Sequence, residues 1–174
     1  MTGFFGKIPA SGDFVSWNLP RSFTDRWDCW FSAELLARPD VGPLDPRAWR
    51  FVVPAGVFGD QPVAGVWRMS EDRAGRRYPF VIARLGETPD PGDAWYGHIE
   101  GALDAAVAGS WAPNFIAEDI SRHSADISGS LKAPRIFFWS EGSDVVEVDF
   151  RRPDSLMREG LAFMRARVPD EEDV

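Results

Sequence analysis

Apolar residues near the start of the chain recur at the spacing of one helical face. They are Trp27, Trp30, Phe31 and Leu35. Ser22, with Asp25 three residues later, approximates a capping box, and Pro39 ends the pattern. We therefore predict a helix at about residues 22–38. Cys29 falls among these aromatic residues, and we interpret it as a small buried apolar side chain rather than a reactive thiolate.

Short apolar or alternating runs predict the strands. They lie at about residues 49–53, 63–69, 78–85, 135–139 and 145–150. The connection 70–77 is too short for the helical crossover that parallel neighbours need, so an antiparallel meander is favoured.

Three further segments carry helical patterns. The strongest runs from Asp93 to Gly109, a weaker one covers about residues 114–122, and the last covers about residues 155–167. Together with an opening strand, the order is strand, helix, three strands, one or two helices, two strands and a helix. We predict an α+β fold, with helices packed on a mainly antiparallel sheet. Residues 1–168 are expected to form one domain, and residues 169–174 a flexible acidic tail.

Charge and composition exclude several classes of protein. The chain has 174 residues, with 27 acidic and 19 basic side chains and a formal net charge of −8, so a nucleic-acid binder is not expected. Its apolar stretches fall far short of the roughly 20 residues that span a bilayer. The first residues lack the apolar core of a secretory signal, and one cysteine forms no intramolecular disulfide. We expect a cytoplasmic protein without membrane insertion.

The strongest local signal is a cluster of arginines between two predicted strands. Arg73, Arg76 and Arg77 form a basic patch on an acidic chain, and guanidinium groups suit carboxylates or phosphates. The structural alternative is that Asp72 pairs with Arg76 or Arg73 and fixes the turn, with Gly75 at a positive φ. The residues alone leave these two interpretations about equally favoured.

A second polar segment lies near the start of the chain, from Lys7 to Phe14. Here we slightly prefer a surface lysine, or one paired with Asp13, over a functional one. His98 is interpreted as a surface or capping residue, because His123 lies in a different predicted helix. We therefore expect no metal site, no cofactor and no catalytic residues.

A family resemblance covers both polar segments and the residues around them. The block near the start of the chain contains Gly3-Phe4-Phe5-Gly6-Lys7-Ile8-Pro9, Gly12-Asp13-Phe14-Val15, Leu19-Pro20, Phe23 and Trp27-Asp28-x-Trp30. The second contains Trp49-x-Phe51, Gly65-Val66 and Ser70-x-Asp72-Arg73-x-Gly75-Arg76-x-Tyr78-Pro79. Over residues 3–80 the chain resembles TagF, a family of type VI secretion system-associated proteins.

The resemblance implies a bacterial post-translational repressor that binds the forkhead-associated scaffold protein of the secretion system. On this basis we expect the two polar segments to form one partner-binding surface, with exposed tryptophans as apolar anchors. The expected contact residues are Lys7, Asp13, Phe14, Asp72, Arg73, Arg76 and Arg77. Burial of Lys7 or Arg76, or their placement on opposite poles of the molecule, would argue against this surface.

Two alternatives remain open at this stage. One is a small hydrolase or phosphate-ester-processing enzyme that uses Lys7, Asp13, Asp72 and Arg73, which requires those side chains to converge in a pocket. The other is a homodimer held by an aromatic face.

Overall fold

In the part of the chain that the computed structural model describes, an antiparallel sheet of seven strands forms the centre. The structure describes residues 1–32, 47–123 and 127, together with the strand backbones 136–139 and 146–148. The strands are β1 (Thr2–Gly6), β2 (Val15–Trp17), β3 (Trp49–Val53), β4 (Val63–Glu71), β5 (Arg77–Leu85), β6 (Ile136–Trp139) and β7 (Val146–Val148). The helices are α1 (Arg21–Phe31), α2 (Ala94–Val107) and α3 (Pro113–Arg122).

The strand order across the sheet is β2-β1-β5-β4-β3-β6-β7, and every neighbouring pair is antiparallel. The longest pairing joins β4 to β5, from Val63 opposite Leu85 to Glu71 opposite Arg77. The predicted α+β class and antiparallel meander are therefore confirmed. The sheet also brings β1 next to β5, so the loops that follow β1 and precede β5 lie at the same end of the sheet.

Alternation along the strands divides the core between the two faces of the sheet. On one face, Trp49, Phe51 and Val53 pack with the aromatic side of α1. On the other face, Val52 joins apolar residues of α2 and α3. The described part of the chain is thus a three-layer arrangement, in which helices cover both sides of one sheet.

Some local predictions were wrong. The backbone of α1 begins at Arg21 after an N-cap at Pro20, and no side chain makes a capping hydrogen bond there, so Ser22 is not the cap. Strand β2 was not predicted, because three residues are too few to show an alternating pattern. Residues 33–38 of the first predicted helix, the helix predicted at 155–167 and the tail lie outside the described residues.

Cys29 is exposed rather than buried. Its neighbours Trp27 and Phe31 face the core, while Cys29 and Asp28 occupy the solvent side of the same helix. Among the described residues, no helix has both the length and the apolar character needed to cross a membrane.

Candidate functional site

Asp72 organises the turn between β4 and β5. Its Oδ1 atom accepts hydrogen bonds from the backbone N–H groups of Ala74 and Arg76, each at 2.9 Å. The backbone closes the same turn, because Gly75 N donates to Asp72 O at 2.8 Å, and Gly75 has φ 76°. A side chain in this conformation would be strained, which explains the glycine. The alternative in which Asp72 and Gly75 fix the turn is therefore correct as a description of the local structure.

The second oxygen of Asp72 holds two cations. Lys7 Nζ lies 3.0 Å and Arg76 Nε 2.8 Å from Oδ2. The side chain of Asp72 is fully buried and that of Lys7 is 9 % exposed, whereas that of Arg76 remains 60 % exposed. Burial by itself would raise the pKa of Asp72, but the hydrogen bonds from Arg76, Lys7 and Ala74 outweigh it and hold that pKa well below its ordinary value.

Two arginines join this turn to the segment after β1. Arg73 Nη2 donates to Ala10 O at 2.9 Å, and Arg73 N donates to Ser11 O at the same distance. Arg76 Nη2 donates to Gly12 O at 2.7 Å. The predicted meeting of the two polar segments is thus observed, and it depends on arginine donors that bond backbone carbonyls.

An aromatic group completes this region. The ring of Phe14 lies 5.5 Å from that of Phe5 and 4.7 Å from that of Tyr78, and Lys7 Nζ lies 5.0 Å from its centroid. Phe14 nevertheless remains 43 % exposed. Tyr78 OH donates to Asp28 Oδ1 at 2.9 Å, which links this group to α1.

The seven predicted contact residues separate into two sets. Asp13, Phe14, Arg73, Arg76 and Arg77 are exposed, and we call them the two-loop surface. Lys7 and Asp72 are buried beneath it, so they orient the loops and do not face solvent. The burial of Lys7 is the outcome stated above as arguing against a surface of all seven residues, so that surface is not kept, and only the five exposed residues are considered as contacts below. Lys7 is neither a surface lysine nor the partner of Asp13, because it is buried and its ammonium group pairs with Asp72.

The arrangement predicted for an enzyme is not seen in the described part of the chain. All four candidate side chains are accounted for by other contacts or by exposure. Asp72 is saturated by donors, Lys7 is buried against it, Arg73 bonds Ala10, and Asp13 is exposed. An open cleft of about 240 Å³ lies nearby, and none of the four lines it. Its lining residues are Pro9, Met69, Ser70, Glu71, Arg77 and Val107.

Among the seven tryptophans whose side chains the structure describes, none supplies the exposed anchor that the sequence suggested. Trp27, Trp49, Trp67 and Trp95 are buried, and Trp17, Trp30 and Trp111 are half-buried. Among the described residues, the large exposed apolar side chains are Met1, Phe14 and Phe115. Phe14 is therefore the apolar contact that the two-loop surface offers.

The two histidines, expected to lie apart, meet between α2 and α3. The rings of His98 and His123 have centroids 3.5 Å apart, and His98 Nε2 lies 3.0 Å from Asp119 Oδ2. Sequence reasoning missed this cluster because His98 and Asp119 come together only by helix packing. The available signal was the spacing of Asp119 and His123, which places both residues on one face of a helix.

Comparisons with known proteins agree with this architecture. The crystal structure of PA0076 from Pseudomonas aeruginosa PAO1 is similar in fold, with a TM-score of 0.62 and 23 % identity over 95 % of this chain and 77 % of that chain. No curated relative matches the chain. The model of the TagF N-terminal domain, described as type VI secretion system-associated, matches residues 3–122. Since this match covers most of the chain, the protein belongs to the TagF N-terminal domain family.

Proposed function

We propose that this protein is a cytoplasmic, non-catalytic regulator that represses a type VI secretion system by binding its forkhead-associated scaffold protein. Binding would occupy a scaffold surface and keep it from joining the secretion apparatus. Membership of the TagF N-terminal domain family supports the association with the secretion system. The repressor role and the scaffold partner come from the resemblance described above.

The observation that carries this proposal is the set of hydrogen bonds between the segment after β1 and the turn between β4 and β5. In the turn between β4 and β5, here called the arginine turn, Arg73 and Arg76 supply three donors that bond the carbonyls of residues 10–12. The exposed side chains of both segments are thereby held before a partner arrives, which lowers the entropy cost of binding. A fixed basic and aromatic surface suits a protein partner better than a small substrate.

The charges of the surface favour an acidic or phosphorylated segment of the scaffold. Arg73, Arg76 and Arg77 are exposed, whereas the whole chain carries a net charge of −8. The arginine patch is therefore a local exception on a chain that otherwise repels anions. Bidentate hydrogen bonds from guanidinium groups to carboxylate or phosphate would give the contact its specificity.

Arg77→Ala tests the surface without disturbing its construction, because Arg77 makes none of the hydrogen bonds described above between the two loops. We expect scaffold affinity to fall by about tenfold, the usual effect of losing one charge-assisted hydrogen bond. Arg73→Ala/Arg76→Ala should reduce it further. Titration calorimetry with the purified scaffold measures both effects, and thermal melts establish that each variant is folded.

Arg122→Ala is the matched control, since Arg122 is an exposed arginine on α3 and lies outside the two-loop surface. Its affinity should equal that of the unchanged protein. Unchanged scaffold binding by folded Arg77→Ala and Arg73→Ala/Arg76→Ala variants would remove the two-loop surface from the contact. Treating the scaffold with a phosphatase before titration distinguishes phosphate from carboxylate recognition.

A further inference from the structure

A compact group of metal-ligating side chains lies on the opposite side of the sheet from α1. His98, Asp119 and His123 each offer one ligand atom, and these atoms all lie within 4.8 Å of one another. The side chains of His98 and Asp119 are 33 % and 17 % exposed, so a cation can reach them from solvent. Two elements contribute, since His98 belongs to α2 while Asp119 lies on α3 and His123 caps its end.

The hydrogen bonds of the group determine which nitrogen of His123 is free to bind a cation. His123 Nδ1 lies 3.0 Å from the backbone oxygen of Asp119, and a carbonyl oxygen can only accept. Nδ1 therefore carries the proton, and in the neutral ring the lone pair is on Nε2. Metal-bound histidines usually donate their other ring N–H to such a carbonyl or carboxylate, which fixes the tautomer and the ring orientation.

The local field also favours a cation. Asp119 and His123 lie in the last turn of α3 and just after it, where the unpaired carbonyls give a helix its negative end. The carboxylate of Asp119 adds a full negative charge, and the net charge of the chain is −8.

We propose that His98, Asp119 and His123 form a Zn²⁺ site that joins α2 to α3. Two imidazole nitrogens and one carboxylate oxygen form a ligand set of the kind found in zinc sites with three protein ligands. Three ligands from the chain leave a fourth position for water or for a side chain of a partner. This site is independent of the two-loop surface and of the proposed scaffold.

Binding the ion requires the two imidazole rings to move apart, because their centroids are 3.5 Å apart and their in-plane lone pairs must converge on the ion from tetrahedral directions. Tetrahedral Zn²⁺ with bonds of about 2.0–2.1 Å separates its ligand atoms by about 3.3 Å. The His98–Asp119 contact of 3.0 Å must open slightly, and the His123 nitrogen must approach. Zn²⁺ then takes the place of the proton between His98 Nε2 and Asp119 Oδ2, and that proton moves to Nδ1 of His98, so the neutral ring keeps one proton.

A structural explanation also exists for the same geometry. The His98–Asp119 contact and the packed histidine rings could do no more than hold the helices together. That explanation predicts no affinity for Zn²⁺, so a titration with the metal alone separates the two.

The test uses the full-length, tag-free protein carrying Cys29→Ser, which removes the exposed thiol as a competing ligand. Titration calorimetry with Zn²⁺ should give one ion per chain, and the melting temperature should rise with Zn²⁺. His98→Gln or Asp119→Asn should weaken binding by at least about 100-fold, since even losing an outer-shell partner costs 10–100-fold. Glu118→Gln is the matched control, because Glu118 is the neighbouring exposed acid and pairs with Arg122.

Imidazole NMR keeps the proposal testable if a variant fails to fold. The chain contains only two histidines, so both rings are observed without ambiguity. One equivalent of Zn²⁺ should shift the nitrogen resonances of both rings, with Nδ1 of His123 still protonated. Unperturbed rings, or a loss of affinity in Glu118→Gln equal to that in Asp119→Asn, would overturn the proposal.

Discussion

A single buried carboxylate explains how the two-loop surface is built. Asp72 uses both oxygens, one for the backbone of its own turn and the other for Lys7 and Arg76. Because a carboxylate has about four acceptor positions, four donors saturate it. Its cost of burial is thereby offset, and the charge of Lys7 is compensated at the same time.

Asp72→Asn should destabilise the protein at neutral pH, because Asn retains the shape and an acceptor but leaves Lys7 buried without a counter-charge. The pKa of Asp72 is held below its ordinary value of 3.8 in the folded chain. Its stabilising contribution is therefore complete above that pH and declines as the pH falls below it. Urea unfolding of both proteins across acidic pH should show the difference between their free energies of unfolding narrowing below about pH 4.

Lys7→Met is the companion variant, since it removes the buried cation and keeps three of the donors to Asp72. We expect a smaller loss of stability than in Asp72→Asn. A free-energy difference between wild type and Asp72→Asn that stays constant from neutral to acidic pH would contradict the assigned role of Asp72.

Gly6→Ala should be strongly destabilising. Gly6 has φ 135°, and an added Cβ would lie 2.1 Å from Pro79 O on the neighbouring strand. Backbone strain alone costs on the order of 1–3 kcal/mol, and the steric clash adds to it. Gly12→Ala is the control, because a Cβ at Gly12 meets no atom within 4 Å. Its free energy of unfolding should stay within about 0.5 kcal/mol of wild type, and equal effects of the two substitutions would refute this account.

Sequence reasoning at the residue scale succeeded where the contact is local. The pairing of Asp72 with Arg76 and the positive φ of Gly75 lie within one turn and follow from turn chemistry. The pairing of Lys7 with Asp72 spans 65 positions and depends on β1 lying beside β5. No spacing rule reaches such a contact, which is why the preferred interpretation of Lys7, as a surface lysine or one paired with Asp13, was wrong.

At the scale of elements, one hydroxyl ties the sheet to α1. Tyr78 on β5 donates to Asp28, which lies on the solvent side of that helix. Burial raises the pKa of Tyr78, and the hydrogen bond and charge of Asp28 raise it further. Tyr78 therefore stays a neutral donor over the whole physiological range.

Tyrosine ionisation should consequently follow unfolding. Burial likewise raises the pKa of Tyr96, so both tyrosines of the chain resist ionisation. Because both folded pKa values exceed the ordinary 10.0, their contribution to stability is complete below pH 10 and declines above it. Near-ultraviolet absorbance should show tyrosinate only as the circular dichroism signal is lost. Tyrosinate formed in the folded protein would contradict the assigned burial.

Tyr78→Phe should lower the free energy of unfolding at neutral pH by about 1 kcal/mol, since water can replace the lost donor at exposed Asp28. Its alkaline loss of stability should also be smaller than that of wild type. Asp28→Asn, alone and combined with Tyr78→Phe, measures the coupling between the two side chains.

Helices and strands with long hydrophobic patterns were predicted more closely than short elements and element ends. In strands β3, β4 and β5, successive side chains alternate between the apolar clusters on the two faces of the sheet. The positions of these strands were predicted closely. The start of α1 was misplaced because Ser22 and Asp25 match a capping pattern that the backbone does not use. Pro20 serves instead, and its backbone oxygen accepts from Phe23 and Thr24.

At the scale of the whole molecule, the sheet brings distant segments together. The fold class followed from element order, and the family resemblance located both loops of the surface. The burial of Lys7 and Asp72, and the meeting of His98 with His123, could not be predicted, because each depends on packing between elements far apart in the chain.

The joining of residues 10–12 to the arginine turn makes the surface a discontinuous epitope. Its carbonyl acceptors follow β1 and its guanidinium donors precede β5, so they meet at one end of the sheet although they are more than sixty positions apart in the chain. A synthetic peptide copying either loop would lack the other half and compete poorly with the intact protein. Any partner that recognises both loops thereby reports on whether the chain has folded.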